Sequence, residues 1–264
     1  MPLTFPSHLA PVLPLKLWRP HWFDGVALCT GAVAPDVAYL VSGTRFELGG
    51  RVHTLGGVLW WCLPVALAYA WLVRRVVAGV AVHLPGGRLF GWPGYAALGG
   101  VRHPWQVTVC SALIGAVSHV GLDRVTHSTR WPHALGVDPA VATLAGMDWW
   151  FLSNLVSSLV CGAVVCALAV RAARRGQVFL GVPPPAPPAR PVVFRAVTLS
   201  VVALGAPVLP VLPAATVSAP LGVRLLHLVA LGMILGGWAA GRAAASPPVT
   251  PPTGRLDEKQ RQPG

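Results

Sequence analysis

The stretch Val107-Thr-Val-Cys-Ser-Ala-Leu-Ile-Gly-Ala-Val-Ser-His119-Val-Gly-Leu-Asp123 decides the fold. Its apolar run is, with Trp105, about 18 residues long, the length of a helix that crosses a bilayer. Yet it closes on two ionisable groups. His119 and Asp123 are four residues apart, so on a helix they share one face, a turn apart, and can hold one metal ion together. The alternative is a His–Asp hydrogen bond that ties two helices. At membrane depth an ionisable side chain costs on the order of 2.5 kcal/mol or more unless it faces a partner or a wet cavity, and this favours a functional reading. His127, four residues further on, has rotated by roughly 80° from His119 and reaches the same place only if the helix ends or bends.

The chain as a whole fits a membrane protein. Mean hydropathy is +0.63, and only 11% of the 264 residues are charged, outside the range of a soluble domain of this size. The net charge of +12 sits in short clusters between apolar runs, as it does around spanning helices, so no nucleic-acid partner is expected. The five cysteines all fall in apolar stretches without a Cys-x-x-Cys pair. They read as small buried residues. The first residues lack a basic region followed by an apolar core and a cleavage site, so no removable signal peptide is expected.

The expected architecture is all-α, a polytopic membrane helix bundle of about five spans plus a re-entrant or interfacial N-terminal helix. Residues 1–24 carry five prolines, Lys16, Arg19 and two tryptophans, which limits helix to short pieces and predicts a segment lying on the membrane. Residues 25–41 are apolar apart from Thr30 and Pro35-Asp36, at the lower limit of a span, and either re-enter or cross. Spans are predicted at 56–73, closed by Arg74-Arg75, and at 105–122, 148–170, 194–212 and 223–241. Asn154, Ser157 and Ser158 line one side of the third, suiting helix packing or support of a site. The domain plan is a membrane domain over 1–180 holding the site, a Pro-rich linker of extended type over 181–192, a pair of spans over 193–242, and a disordered tail over 243–264.

Five alternating spans place the basic groups around Arg74–Arg102, Arg171–Arg195 and Arg242–Arg261 on one side. That side should be the cytoplasm, with the C-terminus there and the protein in the cell's plasma membrane. The loops bearing His53 and His127 then share the outer side, a convergence reached without using the histidines. His8 joins them only if residues 25–41 re-enter.

Three more ionisable groups stand beside apolar runs: His8, Asp36 and His53. No local spacing links them, and the bland alternatives are a helix-capping Asp36 and surface histidines. The blocks that contain them, Pro2-Leu-Thr-Phe-Pro-Ser-His8-Leu-Ala-Pro, Gly31-Ala-Val-Ala-Pro-Asp36-Val-Ala-Tyr39, His53-Thr-Leu-Gly-Gly and Ser118-His-Val-Gly-Leu-Asp123-Arg-Val-Thr-His127, resemble the domain-of-unknown-function 4184 family of bacterial membrane proteins. The resemblance covers roughly residues 1–170. In these blocks that family is similar to inner-membrane metal-dependent hydrolases and, more remotely, to zinc-dependent phospholipase C and single-strand nucleases. The resemblance implies a divalent-metal site, zinc above all, with His8, Asp36, His53, His119 and Asp123 as ligands. Few further acids are present, so one or two metals fit better than three. Asp36 or Asp123 would act catalytically by taking a proton, and Arg51 or Arg124 would neutralise a phosphate. A site at the lipid boundary suits a lipid head group or phosphodiester. The competing expectation is a non-enzymatic scaffold or transporter whose His/Asp cluster is structural.

Overall fold

The computed structural model describes residues 7–126, 143–144, 147–185 and 189–245. The tail beyond Ala245, together with His127, His133 and Asp138, lies outside them. Five helices are long and apolar enough to cross a membrane: α3 (Leu55–Ala81), α5 (Trp105–Thr126), α6 (Trp149–Arg175, apolar from Leu155), α7 (Pro191–Gly205, continued as a 3-10 turn to Val211) and α8 (Ser218–Ala245). Shorter helices are α1 (Leu13–Trp18), α2 (Gly25–Val33) and α4 (Gly87–Phe90). A minimal antiparallel pair, Thr143–Leu144 with Met147–Asp148, precedes α6. The five expected spans are therefore present.

The first span runs past its expected end at Arg74-Arg75 to Ala81. Arg74 does not stop the helix because its side chain turns inward and pairs with Asp24. Near the start of α3 the turn Val58–Cys62 is π-wound, just before Pro64, whose missing N–H interrupts the helical ladder.

Residues 7–41 were the ambiguous part of the sequence, and here they fold as a hairpin inside the bundle. A 3-10 turn, Ser7–Leu9, lies beside the C-terminal half of α5. The chain then runs through α1 to Lys16 and Asp24 near the N-terminal end of α5, where Thr108 donates to Asp24. From there α2 returns alongside α5, ending near His119. Asp123 and Thr108 are separated along α5 by about 22 Å, so the hairpin reaches most of the way through the bundle and comes back. Residues 7–41 thus begin and end beside the same end of α5, as the re-entrant alternative requires. Of the segment expected to lie on the membrane, His8, Val12 and Lys16 are packed inside, 1%, 1% and 4% exposed, while Trp18 and Trp22 face outward at 67% and 69%. Prolines do restrict it to short helices, but its charged groups find their partners within the protein.

Small side chains make this possible. The core between α2, α3 and α5 is Ala27, Ala34, Val58, Cys62, Ala66, Ala112, Ala116 and Val120. At Gly31 a Cβ would stand 2.1 Å from the Ala112 carbonyl oxygen, and at Gly115 one would stand 2.3 Å from that of Leu28. Helices α2 and α5 therefore meet backbone to backbone, the contact that small residues allow between helices in lipid.

Helices α7 and α8 pack on each other and, through α8, on the rest. Arg224 of α8 donates to the carbonyls of Leu40 and Ser42, fixing the segment that follows Asp36. Gly79 of α3 and Gly237 of α8 touch backbones near the opposite end. Large apolar side chains such as Trp60, Leu159, Leu199 and Leu204 point outward, as a lipid-facing surface requires.

Candidate metal centre

Three turns converge on the C-terminal half of α5. His8 arrives in the turn Ser7–Leu9. Asp36 opens the 3-10 turn Asp36–Val41, directly after Pro35. His53 closes the 3-10 turn Gly49–His53. His119 and Asp123 come from α5 itself, one turn apart as their spacing predicts. All five residues proposed from the sequence are thus brought together.

The geometry is tight. Ligand-type atoms of His8, Asp36 and His119 lie within 4.8 Å of one another, as do those of His53, His119 and Asp123, so His119 belongs to both groups. His119 Nε2 is 3.3 Å from Asp123 and 3.5 Å from Asp36. His8 Nε2 and His53 Nε2 are each 3.5 Å from an Asp123 oxygen. The rings of His8 and His119 stack with centroids 3.7 Å apart.

His119 is fully buried, and its Nδ1 lies 2.7 Å from the Ala32 carbonyl oxygen. A carbonyl only accepts, so Nδ1 carries a proton and Nε2 is the nitrogen that faces the two carboxylates. That is the arrangement by which a backbone acceptor sets the tautomer of a metal-binding histidine. Two carboxylates and three imidazoles meet here, a donor set whose charge a divalent cation would balance. The separations agree with this. An N–H···O bond is about 2.7–3.2 Å long, whereas atoms bound tetrahedrally to one zinc at about 2.0–2.1 Å stand about 3.4 Å apart. The donor set, imidazole and carboxylate without thiolate, suits zinc and similar divalent ions. The protein therefore contains a buried His/Asp cluster that could bind a metal.

His53, with a quarter of its side chain exposed, is the most accessible member. Beside it lies a pocket of about 190 Å³, lined among others by Pro35, Tyr39, Glu47, Gly49 and His53. Burial, with Asp36 and Asp123 nearby, pushes the Tyr39 phenol up to about 12, so it keeps its proton and can donate. Tyr39 and Glu47 were not singled out from the sequence, although Tyr39 lies one turn after Asp36. Arg51 and Arg124 are exposed next to His53 and Asp123 in the chain. Ser158 is buried in α6, and the side chain of Asn154 is outside the described residues.

A second polar cluster lies at the other end of α5 and was not foreseen. Asp24 caps α2, accepting from the amides of Val26 and Ala27 at 3.2 Å. Its other oxygen accepts from Thr108 at 2.7 Å and from Arg74, and its own amide donates to Ser111 at 3.0 Å. Burial alone would raise this carboxyl, but Arg74, with Thr108 and the Ala27 amide, holds it below the usual carboxylate value. Lys16 donates to the carbonyls of Pro20 and Phe23 and to His103 Nε2. The readable signal was Asp24 immediately before Gly25 and an apolar run, a helix N-cap.

These features define a polytopic α-helical membrane protein with a His/Asp cluster at one end of its bundle. The chain belongs to the family described as a domain of unknown function (DUF4184), which matches residues 1–240. The match extends past the N-terminal blocks through the linker and into the last span. No curated protein and no solved structure matches the chain.

Proposed function

We propose that this protein is a metal-dependent hydrolase of the plasma membrane, acting on a lipid head group or another phosphodiester at the membrane face. The observation that supports this best is His119, fixed by Ala32 and aimed at Asp36 and Asp123 across 3.3–3.5 Å. His8, His53 and His119 with Asp36 and Asp123 would hold one or two divalent ions, zinc first among them. Lewis acidity and an activated water are what such an ion would supply there. Asp36 or Asp123 takes up the proton released at the reacting water. The pocket beside His53 admits the substrate's polar end, where the Tyr39 hydroxyl can donate, and Arg51 or Arg124 offsets its negative charge.

Among the described residues, Arg74–Arg102, Arg174 and Arg242 lie toward the end of the bundle opposite the cluster, since Arg174 reaches Leu89 and Arg242 follows the Gly79–Gly237 crossing. By the distribution of positive charge that end faces the cytoplasm and the cluster faces outward. Reporter fusions after Arg175 and after Arg242 should both read cytoplasmic.

Elemental analysis of the full chain, purified in detergent, tests the metal. Wild type should carry stoichiometric divalent metal, while Asp123→Asn and His119→Ala should lose it yet still insert. A metal-free wild type, or variants that keep full metal, would replace the hydrolase with a structural cluster. Metal without turnover of any phosphodiester lipid would leave a non-enzymatic metal protein.

A further inference from the structure

The arginine-rich end carries more positive charge than its one described acid can balance, on buried Lys16, part-buried Arg74 and exposed Arg102. Lys16 and Arg74 share Asp24, the one carboxylate at that end among the described residues, and Arg102 adds a third cation close by. Burial pulls the Lys16 ammonium down to about 8, with Asp24 holding it up and Arg74 lowering it further. At neutral pH it therefore stays charged. Burial and the neighbouring Lys16 lower the His103 imidazole, so its ring is neutral. With Nε2 accepting from Lys16, its proton sits on Nδ1 as a donor.

These groups border an open cleft of about 340 Å³ between α3 and α5. Arg74, Arg102, His103 and Thr108 form its polar wall, and Leu67 and Val109 its apolar one. Arg74 uses one N–H group on Asp24 and one on Ala70. Arg102 uses a single terminal nitrogen on Gly99 and Val101. Each guanidinium has five N–H groups, so both keep donors for a ligand, in the fork geometry that suits phosphate. Leu67 is two turns from Arg74, about 10 Å toward the middle of the bundle. The cleft thus grades from cationic to apolar along the helices, which matches an amphiphile rather than a small ion. Its level is that of a membrane interface. Trp105 is 71% exposed at its rim, and Arg19 over Trp18 and Trp22, Arg75 over Trp71 and Arg242 over Trp238 make cation–π pairs around the bundle, the pattern of an interfacial aromatic belt.

We propose that this cleft binds the phosphate of an anionic membrane lipid, whose acyl chain lies along Leu67 and Val109 between α3 and α5. The site is separate from the metal centre and does not depend on the hydrolase reading. It is a basic pocket between spans on the side where anionic lipids gather.

The test is native mass spectrometry of the full chain from nanodiscs of mixed phosphatidylglycerol and phosphatidylcholine. Wild type should retain phosphatidylglycerol in preference to phosphatidylcholine. Arg102→Gln with His103→Gln should reduce that retention by about fivefold or more, since a basic group at a lipid surface contributes about 1 kcal/mol. Arg102→Lys should restore part of it. The melting temperature of Arg102→Gln should not change, because Arg102 bonds neither Asp24 nor Lys16, whereas His103 accepts from Lys16; if the double variant does not fold, Arg102→Gln alone decides with the same readout. Equal retention of both lipids, or undiminished retention in the variants, overturns the proposal. Displacement of the lipid by millimolar inorganic phosphate would show that the cleft takes the free anion, and would overturn the lipid assignment.

Discussion

The two ends of α5 carry buried acids in opposite conditions. At the arginine-rich end Asp24 accepts bonds from two amides, one hydroxyl and one guanidinium, all from groups that can only donate to it. At the other end Asp36 and Asp123 lie among the imidazoles of His8, His53 and His119 at 3.3–3.5 Å, and His119 is held from behind by the Ala32 carbonyl. The first arrangement pairs its acid with a guanidinium, a hydroxyl and two amides. The second gathers ligand-type atoms that could hold a cation. Burial and charge alone do not separate a structural pair from a binding site, whereas donor direction and distance do.

The sharpest way to break this contrast is to make the same change at both ends. Asp24→Asn should destabilise the protein by about 3–5 kcal/mol, the cost of removing one partner of a buried pair, seen as a lower melting temperature in detergent. Asp123→Asn in chelator-treated protein should leave the melting temperature where it was; equal losses would erase the distinction. Next in size is the metal itself. Stripping it with chelator should lower the stability of wild type by about 2.7 kcal/mol if free metal had stood at a hundred times its dissociation constant. Asp24→Asn should keep this response and Asp123→Asn should lack it. A third change links the ends: Gly115→Ala puts a Cβ against the Leu28 carbonyl, which should cost about 1–3 kcal/mol. It should also weaken metal binding, by moving Ala32 away from His119. If stability fell and metal affinity did not, the cluster would not depend on that backbone contact. At the small end of the scale, deleting residues 247–264 should change neither metal content nor melting temperature.

How much of this could be read from the sequence differed between the ends for a physical reason. His119 and Asp123 sit on one long helix, where spacing fixes direction, so their partnership was legible. The five spans were legible for the same reason, apart from the extension of α3. His8, Asp36 and His53 come from three separate 3-10 turns, too short to show a period; the charge distribution put His53 on the same side as His119, and the family resemblance supplied the full set. The Lys16–Asp24–Arg74 network was not found at all. Its members lie 50 residues apart between Asp24 and Arg74, and Arg74-Arg75 looked like the end of a span. A buried arginine and an interfacial one leave the same mark in a sequence, and only the partner's position separates them.

The backbone contact of α2 with α5 also sets an order of events in time. Asp24 and Ser111, like Ala32 and His119, are 87 residues apart. At about 5–20 residues per second, the hairpin leaves the ribosome roughly 4–17 s before α5 is there to receive it. A half-length helix is a poor guest in lipid even with Asp24 capping its start, because its remaining terminal N–H and C=O groups have no water to bond. Residues 7–41 are therefore made before α5 and docked after it, and the His/Asp cluster closes only when that docking is done.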